Sequence, residues 1–183
     1  MMKELSLNVL DVVRNSVAAG AGIVEISLVQ DAEGILQLCI RDDGCGMDAK
    51  ALSSVANPFY TTGTMRRVGL GVPFLKQAAE MTGGALVVSS QTTQTDHGTT
   101  LTATFYTESI DMPPVGDMVS TICAIVGGNP EMRLVFRHEE PGRRVFFDTA
   151  ELRAVLGEEI PLSTYEVIDW IRDYLTQQYQ SEK

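Results

Sequence analysis

The chain has 183 residues, a formal net charge of −10 and three cysteines without a C-x-x-C pair. The charge disfavours a nucleic-acid-binding face, which needs clustered lysine and arginine, and the cysteines disfavour a disulfide framework or a zinc site. No apolar run approaches the roughly 20 residues of a membrane span, and the first residues lack the pattern of a signal peptide. We therefore expect a cytoplasmic protein that binds neither nucleic acid nor membrane.

The first hundred residues alternate between two kinds of hydrophobic periodicity. Apolar positions at helical spacing predict helices over residues 3–19, 48–55 and 70–81. Alternation of apolar and polar residues predicts strands over residues 23–29, 35–40, 85–90 and 100–106. These elements predict two or three helices on one face of a mostly antiparallel sheet, which is a two-layer α/β (α+β) sandwich.

Adjacent prolines follow this region, and they cannot continue a helix or a central strand. We expect a domain of residues 1–108, a linker at residues 109–115 and a small C-terminal α/β segment of residues 116–183. At about 70 residues this segment is marginal for a core of its own, so we expect it to pack on the first domain or on a partner.

The C-terminal segment carries no motif that indicates a particular chemistry. Its pattern predicts a helix over residues 116–126 and a hairpin of strands over residues 132–137 and 144–147. Two further helices are expected to close the chain. Thr149 is the predicted cap of one, and Ser163 with Glu166 the predicted capping box of the other.

A pair of polar residues stands out on the first predicted helix. Asp11 and Asn15 are four residues apart, so they share one helix face. An amide oxygen is a suitable hard ligand for Mg²⁺, and a carboxylate one turn earlier can accept a proton from an attacking water. The alternative is a solvated helix face, which is the commoner reason for such a pair.

A second candidate is the carboxylate of Asp42, which follows an apolar strand and precedes Gly44 and Gly46. A carboxylate only accepts hydrogen bonds, so it suits the exocyclic amino group of adenine and rejects the carbonyl of guanine. The glycines would let the backbone lie against the base. The alternative is a tight turn, because Asp-Gly is a common hairpin signal. Met47 suits an apolar wall of the pocket or the core.

Two glycine motifs follow in the chain. Gly69 and Gly71 open the predicted helix over residues 70–81, and the free N–H groups of a helix N-terminus can bind phosphate. Gly98 to Thr100 begins the last strand of the first domain. Either motif alone is more often an ordinary loop or strand start.

In this order the four motifs resemble the GHKL ATPase superfamily, which includes histidine kinase catalytic domains, anti-sigma serine kinases, gyrase-type ATPases and MutL. The resemblance covers residues 3–107 and implies a Bergerat-type fold that binds ATP or ADP with Mg²⁺. It places Asp11 at the general-base position, which is usually Glu, and Asn15 as the Mg²⁺ ligand. Asp is shorter than Glu, and a displacement of about 1 Å can lower a rate roughly a hundredfold. We therefore expect the rate of hydrolysis to be reduced more than the affinity for nucleotide.

The resemblance also assigns residues around the nucleotide. Residues 57–62 are similar to the family's F-box, in which Phe59 would anchor the loop. Many relatives have Lys after the two threonines, where this chain has Gly63, so nearby arginines would supply the charge or stay solvated. The expected nucleotide-binding residues are Asn15, Asp42, Gly44, Gly46, Met47, Phe59, Thr61, Thr62, Arg66, Arg67, Gly69, Leu70, Gly71 and Thr100.

Two functions of different kinds fit these residues. In the first, ATP or ADP orders the short lid before Gly69 and changes a surface that binds a protein partner, with slow or no hydrolysis. In the second, the chain is an ATPase or a serine/threonine kinase of the anti-sigma type, with Asp11 as general base. Histidine autophosphorylation is disfavoured, because the family's phosphoacceptor helix precedes the first motif and only ten residues precede Asp11 here.

The whole chain is also similar to small stand-alone bacterial ATP-binding proteins that are associated with iron hydrogenase systems. This resemblance implies a protein partner that is either hydrogenase-associated or a regulatory factor. It does not identify the partner or a phosphoacceptor.

Overall fold

The computed structural model describes residues 4–55, 71–93, 97–157 and 159–181. Its helices are α1 (Leu5–Ala18), α2 (Ala49–Ser54), α3 (Gly71–Met81), α4 (Met118–Gly128), α5 (Thr149–Leu156) and α6 (Tyr165–Gln180). Its strands are β1 (Ile23–Gln30), β2 (Ile35–Asp42), β3 (Ala85–Thr92), β4 (His97–Tyr106), β5 (Arg133–Glu140) and β6 (Arg143–Asp148). None of these helices is long and apolar enough to cross a membrane.

The described strands form one sheet in the order β3-β4-β2-β1-β5-β6. β1 and β5 are parallel, and the other neighbouring pairs are antiparallel. Side chains alternate along each strand, so Val24 and Ile26 of β1 are buried whereas Glu25 between them is exposed. The buried face packs against the helices in one continuous core. The expected sandwich, with a mixed and mostly antiparallel sheet, is therefore confirmed.

The predicted elements of the first domain are present, with shifted ends. β2 runs two residues further than expected and ends at Asp42, and β4 begins at His97 rather than at residue 100. The turn between β1 and β2 is held by Asp31, whose Oδ1 accepts hydrogen bonds from the N–H groups of Glu33 (3.0 Å) and Ile35 (2.8 Å). Because β2 and β4 are longer than expected, Asp42 is paired with Thr99 within the sheet.

The stretch between β4 and α4 contacts the start of α1. The N–H groups of Leu5 and Ser6 donate to the carbonyl oxygens of Pro114 (3.0 Å) and Val115 (2.9 Å). The first turn of a helix has free N–H groups, and here backbone carbonyls satisfy two of them without a side-chain cap. The division of the chain at residues 109–115 stays a prediction, although β5 and β6 extend the sheet of the first 108 residues.

Both predicted caps in the C-terminal segment are wrong. Asp148, not Thr149, caps α5, because its Oδ1 accepts the N–H of Ala150 at 2.8 Å. The hydroxyl of Thr149 instead accepts the N–H of Leu134 at 2.9 Å, which ties α5 to β5. The start of α6 is Thr164 without a side-chain cap, so Ser163 lies outside the helix and forms no capping box.

The buried His138 and the partly buried Tyr179 face each other between β5 and α6. Nδ1 of His138 lies 2.8 Å from the hydroxyl oxygen of Tyr179, and the two rings meet edge to face. Burial lowers the pKa of His138, with a smaller raising effect from Glu140 and a lowering one from Arg143. Burial likewise raises the pKa of Tyr179. The native protein therefore favours the neutral form of both groups.

We expect acid to destabilise the wild type more steeply than His138→Gln. The unfolded chain binds a proton at His138 near its ordinary pKa of about 6.5, whereas the folded chain resists protonation until lower pH. The unfolded state thus gains the proton first as the pH falls, and stability is lost below about pH 6.5. Urea denaturation of both proteins from about pH 8 to about pH 5 measures this, and parallel stability curves would contradict it.

Candidate functional site

Asp42 is held at the end of β2 by three donors from three elements. Its Oδ2 accepts a hydrogen bond from the hydroxyl of Ser16 on α1 at 2.7 Å. Its Oδ1 accepts the N–H of Gly44 at 3.0 Å and, across the sheet, the N–H of Thr99 at 3.3 Å. A carboxylate offers about four acceptor directions, so one direction on Oδ2 has no donor among the residues described.

The glycines around Asp42 are required by contacts with protein backbone. Gly46 has φ +71°, and a Cβ there would lie 1.8 Å from the carbonyl oxygen of Gln91 on β3. Gly98 has φ +127°, and its Cβ would lie 2.1 Å from the carbonyl oxygen of Asp42. Neither position accepts a larger residue without moving the backbone. The turn after β2 therefore packs directly on the β3–β4 hairpin.

Two neighbours fix this turn further. Oδ1 of Asp43 accepts the N–H groups of Gly22 (2.8 Å) and Ile23 (2.7 Å), which anchors the turn to the start of β1. Nδ1 of His97 lies 2.9 Å from the carbonyl oxygen of Gly44. Neither residue was predicted to have a role, because each acts through a contact that is distant in the chain.

A hydroxyl pair lies beside Asp42 on the same side of the sheet. Oγ of Ser90 is 2.9 Å from Oγ1 of Thr99 and 2.9 Å from the carbonyl oxygen of Gly98. It also accepts the N–H of Met47 at 2.7 Å, so this residue is held at the site by its backbone. Ser16 and Ser90 lie outside the four sequence motifs, and Thr99 lies inside the Gly98–Thr100 motif but was not among the predicted binding residues.

Thr100 does not share a face with the Asp42 carboxylate. Asp42 is aligned with Thr99 across β2 and β4, whereas Thr100 is aligned with Arg41. Because side chains alternate along a strand, Thr100 lies on the other face of the sheet. A cleft of about 710 Å³ is lined by Arg41, Ser89 and Thr100, and its lining also includes Asp42, Ser90 and Thr99. The hydroxyl nearest to Asp42 after Gly98 is therefore that of Thr99.

The start of α3 lies directly against α1. A Cβ on Gly71 would be 2.8 Å from the Cβ of Asp11, so only glycine allows this approach. Asp11 forms an ion pair with Arg14, in which Nη1 and Oδ1 are 3.3 Å apart and the Asp11 side chain is 36% exposed. The structure thus brings the predicted base and the predicted phosphate-binding helix end together.

Asp11 and Asn15 belong to a polar stripe along α1, and this stripe is only partly solvated. Asn15 is exposed, one turn beyond Asp11. Asn8, one turn before, is buried, and its Nδ2 donates to the carbonyl oxygen of Glu4 at 3.3 Å. No donor among the described residues reaches the buried Oδ1 of Asn8. The stripe therefore runs from the interior to the surface, which differs from a solvated helix face.

Seven predicted binding residues lie outside the described ranges, and they are Phe59, Thr61, Thr62, Arg66, Arg67, Gly69 and Leu70. Their assignment stays a prediction.

Within the described ranges, no three His, Cys, Asp or Glu side chains are grouped as metal ligands. Mg²⁺ usually keeps several waters and bridges substrate phosphates with few protein ligands. The exposed Asn15 amide, next to the contact between Asp11 and Gly71, fits that kind of coordination.

Comparison with known proteins agrees with this fold. Residues 1–109 match the family described as "Histidine kinase-, DNA gyrase B-, and HSP90-like ATPase". A structure titled "Crystal Structure of N terminal domain of a DNA repair protein" has TM-score 0.59 and 16% identity, covering 86% of this chain and 58% of its own. The Aquifex aeolicus MutL ATPase domain, complexed with ADP, has TM-score 0.53 and 13% identity, covering 76% of this chain and 61% of its own.

A third similar structure, the mycobacterial sensor histidine kinase MprB, has 28% identity and TM-score 0.44, covering 54% of this chain and 68% of its own. The first two structures share the fold with this chain, which spans about three fifths of their length.

The fold and the ordered motifs define an ATP-binding domain of the Bergerat type. The chain belongs to the histidine kinase-, DNA gyrase B- and HSP90-like ATPase family, whose model covers more than half of its residues. This is the GHKL superfamily of ATP-binding domains that the four motifs resemble.

Proposed function

We propose that this protein binds Mg-ATP and acts as a regulatory module. Nucleotide occupancy orders the short lid between residues 57–62 and Gly69 and thereby controls the interaction with a protein partner. Hydrolysis is slow or absent. The observation that carries the proposal is Asp42, whose carboxylate is fixed by Ser16, Gly44 and Thr99 with one acceptor direction left on Oδ2.

The free direction of Asp42 matches the amino group of adenine. Since the other acceptor directions are occupied by protein donors, the carboxylate is oriented before nucleotide arrives, and little order has to be created on binding. Guanine presents a carbonyl oxygen at the corresponding position, and two acceptors facing each other are unfavourable. We therefore assign the adenine end of the site to Asp42, Thr99 and the turn at Gly44–Gly46.

The phosphate end is assigned to the contact between α1 and α3. The N-terminus of α3 at Gly71 abuts Asp11, and the Asn15 amide is one turn further along α1. Helix N-termini attract anions, and an amide oxygen suits Mg²⁺. Bound Mg²⁺ would neutralise phosphate charge, which a protein of net charge −10 otherwise repels.

Slow turnover follows from the surroundings of Asp11. One oxygen of the Asp11 carboxylate, Oδ1, is paired with the Arg14 guanidinium at 3.3 Å. The carboxylate also has a shorter reach than the usual glutamate of the family. A general base must be within hydrogen-bond reach of its proton and free to accept it.

The alternative function is an ATPase or a serine/threonine kinase that uses Asp11 as general base. The contact between Gly71 and Asp11 favours it, because it brings a carboxylate to the predicted phosphate end. The two functions differ in turnover. Loss of ATPase or phosphotransfer activity in Asp11→Asn, with nucleotide binding retained, would favour the enzyme. Absence of turnover in the wild type would favour the regulatory module.

Calorimetric titration of the wild type with ATP, ADP and GTP, each with and without Mg²⁺, tests the shared part of both functions. We expect adenine nucleotides to bind at least about tenfold more tightly than GTP, because only GTP would leave the Asp42 acceptor facing another acceptor. We also expect Mg²⁺ to strengthen ATP binding. Equal binding of ATP and GTP would contradict the assignment of Asp42.

A further inference from the structure

An apolar groove of about 640 Å³ lies between α5 and α6, remote in sequence from the nucleotide motifs. Val155 of α5 and the α6 residues Trp170 and Tyr174 line it and are 83%, 49% and 37% exposed. Soluble proteins scatter single apolar residues over their surface, but a contiguous apolar patch indicates a binding surface.

An aromatic row connects this groove to the core. The rings of Trp170 and Tyr174 are stacked with centroids 5.0 Å apart, and the ring of Tyr174 is 6.4 Å from that of the buried Phe147. Tyr174 contacts both other rings, so the three rings form one row that runs from the core to the groove. Rigid aromatic residues bind at low entropic cost and are enriched in interaction hot spots.

The charges at the groove have one sign. Its lining includes the carboxylates of Asp148, Glu151 and Glu166, and no lysine or arginine among the residues described. Asp148 is neutralised by Arg133, with which it shares two hydrogen bonds of 3.2 and 2.7 Å. Glu151 and Glu166 are exposed, and neither forms a direct ion pair with another described residue, although Glu151 interacts with Arg133 over a longer distance.

The nearby arginines are directed elsewhere. Arg153 of α5 donates to the carbonyl oxygens of Pro130 and Ile160, and it pairs with Glu131 at 3.4 Å. Arg172 of α6 donates to the hydroxyl of Ser120 on α4. The groove therefore keeps an acidic rim around its apolar centre.

We propose that the groove between α5 and α6 binds an amphipathic helix of a partner protein, with apolar anchors against Val155 and Trp170 and flanking Lys or Arg residues against Glu151 and Glu166. The groove requires an apolar face and basic flanks of its partner, and an amphipathic basic helix supplies both. A symmetric second copy would set one acidic rim against the other, and an anionic membrane would be repelled. This proposal does not depend on nucleotide binding.

Trp170 makes the groove directly observable, because it is the only tryptophan of the chain. The full-length protein is titrated with a synthetic amphipathic peptide of about 18 leucine and lysine residues, which is about five helical turns. The matched peptide has glutamate at every lysine position. We expect the lysine peptide to shift Trp170 emission to shorter wavelength in a saturable way that weakens with salt, and the glutamate peptide to have no effect.

Charge reversal separates this recognition from unspecific apolar adhesion. Glu151→Lys/Glu166→Lys is expected to bind the lysine peptide about tenfold or more weakly and to gain affinity for the glutamate peptide. The control Glu33→Lys/Asp111→Lys makes the same change in net charge at exposed positions remote in sequence from the groove, and it is expected to behave like the wild type. Val155→Lys, at a solvent-exposed helix position, is expected to weaken binding of the lysine peptide to a similar degree.

Three results would overturn the proposal. The first is unchanged Trp170 emission with the lysine peptide. The second is an equal response to both peptides, which would indicate apolar adhesion without charge recognition. The third is self-association of the wild type that Val155→Lys abolishes in sedimentation, because a second copy of the chain would then be the occupant.

Discussion

Asp42→Asn is expected to weaken ATP binding by about a hundredfold or more, corresponding to roughly 3 kcal/mol. Asparagine can keep the hydrogen bonds from Gly44 and Thr99 through its oxygen. Its amide nitrogen then replaces Oδ2, the atom with the free acceptor direction. An N–H donor would face the amino group of adenine, which is also a donor. The affinity for GTP should rise relative to that for ATP, because the guanine carbonyl can accept a hydrogen bond from the new amide.

Calorimetric titration of the variant with ATP and GTP measures both effects. Asp31→Asn is the matched control, because Asp31 also accepts two backbone N–H groups but lies at the far end of the β1–β2 pair. This control should keep nucleotide affinity within about twofold of the wild type. Any effect of the substitution should appear only in the free energy of unfolding. ATP affinity that does not respond to Asp42→Asn would refute the site assignment.

Gly46→Ala is expected to destabilise the fold by about 3–5 kcal/mol, which is among the largest effects of a single substitution. Two costs add together. The φ of +71° is unfavourable for any residue with a Cβ, and the new Cβ would lie 1.8 Å from the carbonyl oxygen of Gln91. A backbone carbonyl cannot rotate away as a side chain does. The turn must therefore separate from β3, which would also displace Asp42 and its hydrogen bonds.

Urea denaturation compares this variant with Gly128→Ala. Gly128 ends α4, and a Cβ there meets no atom within 4 Å. Alanine at this helical position should be neutral or stabilising by up to about 1 kcal/mol. If Gly46→Ala matched Gly128→Ala in stability, the close contact between the turn and β3 would not exist in solution.

Local patterns in the sequence were enough to predict the sandwich and the position of Asp42. Alternation located the strands, and the glycines after Asp42 marked its turn. The pairing of strands is a long-range property, so the sequence motif did not show that Thr99, rather than Thr100, faces Asp42. The contribution of Ser16 was also missed, since a serine on a helix has no pattern that indicates its partner.

The C-terminal segment shows the same limit more strongly. Its helices and hairpin were predicted from periodicity, but the caps of both closing helices were wrong. Asp148 both caps α5 and pairs with Arg133, and the second contact depends on the register of β5 against β6. No sequence pattern within either strand indicates that β5 pairs in parallel with β1.

The parallel pairing of β5 with β1 can form only late in synthesis. β1 leaves the ribosome early, and β2 soon follows to cover one of its edges. The other edge is paired only when β5 arrives, with Ile23 aligned to Arg133. Pairing over such a separation is slow, and an open strand edge promotes aggregation. The nascent chain thus exposes one edge of β1 until β5 is made, and the pairing with β5 then removes this aggregation-prone edge.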